Sequence, residues 1–160
     1  MKKEVHQFSY EVYDSAEELD PADAALLARA NEVTAQAYAP YSRFRVGAAA
    51  KLDNGQVVTG TNQENASYPA GICAERVLMS AASSLYPGVP INTMAVSFHN
   101  EKGPSDSPIS PCGICRQSLQ EFEQRTGKPM RLILGAEKGP VNVISRASLL
   151  LPLGFTADEL

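Results

Sequence analysis

The three cysteines of the chain lie in two short motifs, and these motifs constrain the fold more than any other feature. The first motif is Cys73-Ala-Glu-Arg, and the second is Pro111-Cys-Gly-Ile-Cys115. Each motif is expected to begin a helix, where unpaired N–H groups and the helix dipole favour anions such as thiolates. Thiols three residues apart share one side of a helical turn. The rest of the chain must therefore hold two helix starts against each other.

These residue types suit a zinc site that leaves one coordination position open. Cys73, Cys112 and Cys115 are the predicted ligands, because three protein ligands and a water are typical of catalytic zinc. Glu75 is the predicted catalytic proton carrier, since zinc deaminases use a glutamate that does not bind the metal. Arg76 is expected to hydrogen-bond the cysteine sulfurs and offset their negative charge. The alternatives are a solvated carboxylate at Glu75 and a weakly paired surface arginine at Arg76.

Composition limits the classes of protein to consider. The chain has 160 residues, 44% of them hydrophobic, and a net charge of −4, which is ordinary for a globular protein without a nucleic-acid partner. No stretch approaches the roughly 20 apolar residues that a membrane span requires. An odd number of cysteines, without a secretion signal, favours metal binding over disulfides and a cytoplasmic location.

The alternation of strand and helix patterns predicts an α/β fold, a three-layer α/β/α sandwich around a mixed sheet of about five strands. Residues 1–18 are interpreted as an N-terminal extension, either an edge strand on the sheet or an ordered tail, and 19–160 as a single zinc-dependent deaminase domain. The first helix is expected to begin at Asp20-Pro21, and Asn54-Gly55 is typical of a hairpin turn. In the helix after Cys112, Glu123 is expected to face outward.

The two motifs and three further stretches resemble the cytidine deaminase family, the homotetrameric three-cysteine zinc enzymes that act on nucleosides. Residues 39–49 (APYSRFRVGAA) are similar to its substrate-side loop and first strand. Residues 60–68 (GTNQENASY) are similar to its ribose-binding segment, and 150–155 (LLPLGF) to its C-terminal signature. Residues 69–71 (PAG) depart from the linker of many relatives, and this difference is expected to affect the pocket rim and the preference among cytidine analogues.

The resemblance implies a role for further residues. Asn62 and Glu64 would hold the ribose, Phe44 would pack on the nucleoside, and the N–H of Ala74 would read the pyrimidine edge together with Glu75. Gln117 would hold the zinc ligands in position without binding the metal itself. In a homotetramer, three residues would serve the site of a neighbouring subunit: Ala66, Tyr68 and Phe155.

The function that these residues predict is zinc-dependent hydrolytic deamination of cytidine and 2′-deoxycytidine to the uridines, with release of ammonia, as in pyrimidine salvage. One alternative is a deaminase of a cytosine-containing nucleoside antibiotic or analogue. Another, from a different class, is a structural zinc module for protein contacts. That module would need a closed site with four protein ligands, whereas the sequence offers three thiols.

Overall fold

A mixed sheet divides the molecule into two helical layers. The computed structural model describes residues 1–160, and its sheet has six strands in the order β1-β6-β5-β4-β2-β3. The strands are β1 (Glu11–Tyr13), β2 (Phe44–Leu52), β3 (Val57–Thr61), β4 (Ile91–Asn100), β5 (Arg131–Leu134) and β6 (Val141–Ile144). Only β4 and β5 pair in parallel. The remaining pairs are antiparallel.

Three helices cover the two faces of the sheet: α1 (Pro21–Val33), α2 (Ala74–Leu85) and α3 (Gly113–Thr126). Leu26, Leu27 and Ala30 of α1 pack on one face. Leu78 of α2 and Leu119 of α3 pack on the other. This arrangement confirms the predicted three-layer α/β/α sandwich.

The sheet has six strands instead of about five, because part of the N-terminal extension joins it. Glu11–Tyr13 pairs with Val141–Val143 of β6 and forms the outer edge. β1 is only three residues long, as is common for edge strands. None of the helices has the length and apolarity needed to cross a membrane.

The ends of the helices follow local sequence signals. The Asp20 carboxylate accepts hydrogen bonds from the N–H groups of Ala22 at 3.0 Å and Asp23 at 3.1 Å, and Pro21 occupies the first helical position of α1. The helix α3 ends at Gly127, whose φ of 68° is left-handed. Cys73 and Cys112 are the N-cap residues of α2 and α3.

A glycine allows α2 to approach the sheet closely. A Cβ atom on Gly60 of β3 would lie 2.5 Å from the Leu78 nitrogen and 2.6 Å from the Ala74 oxygen. Only a residue without a side chain fits at that separation. Gly60 therefore sets the depth at which the first turns of α2 sit on β3.

The expectation that Glu123 faces outward is wrong. Its side chain is 4% exposed, and its carboxylate accepts hydrogen bonds from the backbone N–H groups of Met130 at 2.7 Å, Ala147 at 3.0 Å and Ser148 at 3.2 Å. The segment after β6 folds back over α3, and its N–H groups need an acceptor there. Glu123 consequently joins α3 to the C-terminal segment.

Candidate active site

Two helix starts bring the three cysteine sulfurs together. Cys73 precedes the first turn of α2, while Cys112 and Cys115 lie at the start of α3. The three Sγ atoms lie within 4.8 Å of one another, and those of Cys73 and Cys112 are 3.7 Å apart. Zinc–sulfur bonds of about 2.3 Å at the tetrahedral angle separate two sulfurs by roughly 3.8 Å. The cluster is positioned to bind one zinc ion.

The pKa values of Cys73 and Cys115 are shifted in opposite directions because the two side chains interact. The hydrogen bond from the Cys115 thiol lowers the pKa of Cys73 to about 6, against the effect of burial. The same contact, together with burial, raises the pKa of Cys115. Cys112 is exposed toward the cavity and Cys115 is buried. A set of three soft sulfur donors suits zinc.

Glu75 lies in the first turn of α2, two residues after Cys73. Its side chain is 5% exposed, and burial raises the pKa of its carboxyl group, while hydrogen bonds from its own backbone N–H and from Cys115 lower it. A carboxyl group whose pKa is moved toward neutrality can both accept and donate a proton. The structure thus places a buried carboxyl group, of the kind that can transfer protons, next to the cysteines.

A cavity of about 290 Å³ opens above Glu75 and two of the sulfurs. Its lining carries two carboxylates but no lysine, arginine or histidine. The lining residues are Val46, Asn62, Gln63, Glu64, Asn65, Tyr68, Gly71, Ile72, Cys73, Ala74, Glu75, Ile109, Ser110 and Cys112.

Asn62 and Glu64 follow β3 and line this cavity. The Asn62 amide donates to the Phe44 carbonyl at 2.9 Å and accepts from the Val46 N–H at 2.8 Å. The Glu64 carboxylate accepts from the N–H groups of Tyr41 at 2.8 Å and Ser42 at 3.3 Å. These bonds, with the Ser42 hydroxyl first among them, hold the pKa of Glu64 below its ordinary value.

The remaining residues expected to contact substrate differ in whether they line the cavity and in how exposed they are. Ala74 is fully buried and lines the cavity. Phe44 stacks on Phe98, with ring centroids 4.8 Å apart, and lies outside the cavity lining. Tyr68 lines the cavity mouth and is 78% exposed, and Phe155 is 57% exposed. Ala66 is also exposed.

Neither of the two residues expected to support the zinc ligands donates a hydrogen bond to a sulfur. The positive charge of Arg76 helps to lower the pKa of Cys73, after the larger effect of the Cys115 hydrogen bond. No hydrogen bond from Arg76 reaches a sulfur. Gln117 donates to the Phe155 carbonyl at 2.8 Å, so it contacts the C-terminal segment.

Sequence reasoning missed residues on both sides of the second motif. Ile109 and Ser110, directly before the second motif, line the cavity, and no pattern in the sequence indicates a role for either residue. Arg116 donates to the carbonyls of Pro111 at 2.9 Å and Leu150 at 3.0 Å, which fixes the approach to Cys112. The only signal for Arg116 was its position directly after a ligand.

Comparisons with known proteins agree with this geometry. The sequence model of the cytidine and deoxycytidylate deaminase zinc-binding region matches residues 21–128. A cytidine deaminase of Halalkalibacterium halodurans is 36% identical over 84% of this chain and 95% of its own length. One of Mycobacterium tuberculosis is 45% identical over 60% of this chain and 68% of its own length.

The fold agrees as well. The crystal structure of cytidine deaminase from Burkholderia pseudomallei matches with a TM-score of 0.70 and 40% identity, over 82% of this chain and 97% of that one. The matched residues 21–128 include both cysteine motifs and the helices α2 and α3 that begin at them. The chain belongs to the cytidine deaminase family.

Proposed function

We propose that this protein hydrolyses cytidine and 2′-deoxycytidine to uridine and 2′-deoxyuridine with release of ammonia. The observation that carries this assignment is the buried carboxyl group of Glu75 beside three clustered thiols, at the floor of a cavity of about 290 Å³. A zinc ion held by Cys73, Cys112 and Cys115 supplies a Lewis acid that activates water for attack on the base.

In the reaction, a C–O bond forms at C4 of the base and the C4–N bond to the amino group breaks. Glu75 takes one proton from the attacking water and delivers it to the ring nitrogen, then takes the remaining proton from the new C4 hydroxyl group and gives it to the departing amine. Burial of Glu75 suits these transfers, because a raised pKa brings its two protonation states closer in energy. The backbone N–H of Ala74 is assigned to the pyrimidine edge, beside Glu75.

A free nucleoside fits the cavity better than a nucleotide. The lining includes Asn62 and Glu64, which are assigned to the ribose hydroxyls, and no basic side chain that would recognise a phosphate. Phe44 lies outside this lining and is proposed to pack on the nucleoside when it is bound. Its stacking on Phe98 would hold the ring in place.

The assembly is proposed to be a homotetramer in which subunits complete each other's sites. Tyr68 and Phe155 are large and exposed, as expected for side chains that a partner covers, and Ala66 lies between Glu64 and Tyr68. In this proposal residues 19–160 form the deaminase domain and residues 1–18 extend it. Three free thiols suit the reducing cytoplasm.

The test is to follow the loss of the cytidine absorbance band and the release of ammonia by the purified protein. Cytidine and 2′-deoxycytidine should be converted, deoxycytidylate much more slowly, and a zinc chelator should abolish turnover until zinc is restored. Conversion of deoxycytidylate at the rate of the nucleoside would contradict the substrate assignment. Absence of turnover with a full zinc complement would contradict the reaction itself.

A further inference from the structure

The three-residue turn before β2, Tyr41–Arg43, holds the Glu64 carboxylate in place. Glu64 accepts hydrogen bonds from the N–H groups of both Tyr41 and Ser42. Arg43 adopts a φ of 60°, which is uncommon for a residue with a side chain and persists only where the surroundings enforce it. Something outside the turn must therefore stabilise this conformation.

The residues directly after β4 make those contacts. The Glu101 N–H donates to the Arg43 carbonyl at 3.1 Å, and the Lys102 ammonium donates to the Tyr41 carbonyl at 3.3 Å. The Glu101 carboxylate also forms an ion pair with Arg45, the second residue of β2, in which both side chains are about one third exposed. The turn is thus held on its carbonyl side by residues 101–102 and on its N–H side by Glu64.

The segment that carries Glu101 and Lys102 is itself anchored in the fold. Ser105 is 5% exposed, and its hydroxyl accepts a hydrogen bond from the Asn100 N–H at 2.8 Å. The carbonyl of Ser105 accepts from the Lys138 N–H at 3.3 Å. Arg45 is fixed independently, because it also donates to the Ala37 carbonyl at 2.8 Å. The ion pair between Glu101 and Arg45 therefore connects two rigid parts of the molecule.

We propose that Glu101 is a positioning residue for ribose recognition, acting through Arg45 and the turn to orient the Glu64 carboxylate. This inference rests on the proposed function, in which Glu64 accepts a hydrogen bond from a ribose hydroxyl. Lys102 contributes in the same direction, since its positive charge favours the ionised form of Glu64. The segment after β4 would therefore tune affinity for the sugar without touching it.

The experiment compares Glu101→Ala with the wild type on cytidine and on 2′,3′-dideoxycytidine, which lacks the 2′- and 3′-hydroxyls of the sugar and keeps the 5′-hydroxyl. The variant should raise the KM for cytidine roughly threefold to tenfold, as expected when a network that positions a contact is loosened, with little change in kcat. The KM for the dideoxy compound should stay constant. In a Glu64→Ala background, Glu101→Ala should add nothing to the KM for cytidine.

Glu32→Ala is the matched control, because it removes the same charge and breaks an ion pair with Arg29 on α1, remote from the cavity. Amide hydrogen exchange of Tyr41 and Ser42, which needs no substrate, should accelerate in Glu101→Ala only. Three outcomes would overturn the role of Glu101 and leave the proposed function standing. They are equal changes in KM for both nucleosides, additive effects of Glu101→Ala and Glu64→Ala on KM, and an unchanged rate of amide hydrogen exchange at Tyr41 and Ser42. A wild type that does not deaminate cytidine would instead overturn the proposed function.

Discussion

The sulfurs of Cys73 and Cys112 lie 3.7 Å apart, although the two residues are 39 positions apart in sequence and cap different helices. Three thiols this close repel one another once ionised, and the two helix N-termini offset only part of that repulsion. A divalent cation supplies the missing positive charge. The metal is therefore expected to stabilise the fold as well as to take part in the reaction.

Removing zinc should lower stability and activity together. Dialysis against a strong chelator is expected to lower the melting temperature, because the α2 and α3 starts lose the ion that joins them, and zinc alone should restore it. Cys112→Ser should reduce the bound zinc per chain, measured by elemental analysis. Ser118→Ala, whose hydroxyl contacts only the Ile114 carbonyl on the same helix, is the control and should retain its zinc. Equal melting temperatures with and without metal would contradict this expectation.

Glu75→Gln should separate metal binding from turnover. The amide has nearly the shape of the buried carboxyl group but cannot transfer protons, so kcat should fall by about 10²–10⁴-fold while zinc content stays unchanged. Elemental analysis and steady-state kinetics measure the two effects. Glu121→Gln, an exposed position on α3, should leave both unchanged. A Glu75→Gln variant with near-normal kcat would remove Glu75 from the mechanism.

Much of the scaffold could be predicted because its signals are local. Asp20-Pro21 places the start of α1, and the thiol spacing places Cys112 and Cys115 on one turn. The burial of Glu123 could not be predicted, because it depends on a C-terminal segment that folds back over α3. The contact between Gln117 and the Phe155 carbonyl has the same non-local origin.

The pH dependence of stability should carry a contribution from Asp20. Hydrogen bonds from the backbone of Asp23 and Ala22 hold the pKa of Asp20 below its ordinary 3.8. The ionised Asp20 therefore contributes its full stabilisation of the folded state above pH 3.8, the ordinary pKa. This contribution is lost as the pH falls through the lower pKa that Asp20 has in the folded state. Asp20→Asn keeps a cap without this titration, so its stability should fall less on acidification. Urea unfolding of the wild type and Asp20→Asn at a series of acidic pH values measures the free energy of unfolding of each. If the two free energies fell by the same amount on acidification, the expectation would be contradicted.

Glu123→Ala should destabilise the fold strongly. It leaves the N–H groups of Met130 and Ser148 without their acceptor and Ala147 with the Met130 carbonyl alone, at a cost of about 3 kcal/mol, since each unsatisfied buried group is expensive. Urea unfolding at fixed protein concentration measures the loss. The neighbouring exposed Glu121→Ala should change the free energy of unfolding by less than about 0.5 kcal/mol. Similar losses in both variants would show that Glu123 is not a structural anchor.

Gly60→Ala should disturb the metal site by changing how α2 packs on β3. The new methyl group would meet the Ala74 oxygen and the Leu78 nitrogen at about 2.6 Å, and both are backbone atoms that cannot rotate away. The first turn of α2 must then shift from β3 and move Cys73 relative to the two sulfurs on α3. The free energy of unfolding should fall by about 1–3 kcal/mol, and zinc should dissociate more readily in a competition with a chromogenic chelator. Thr59→Ala, one residue earlier on β3, should keep wild-type zinc affinity. If Gly60→Ala also kept it, the packing of α2 on β3 would not be what positions Cys73.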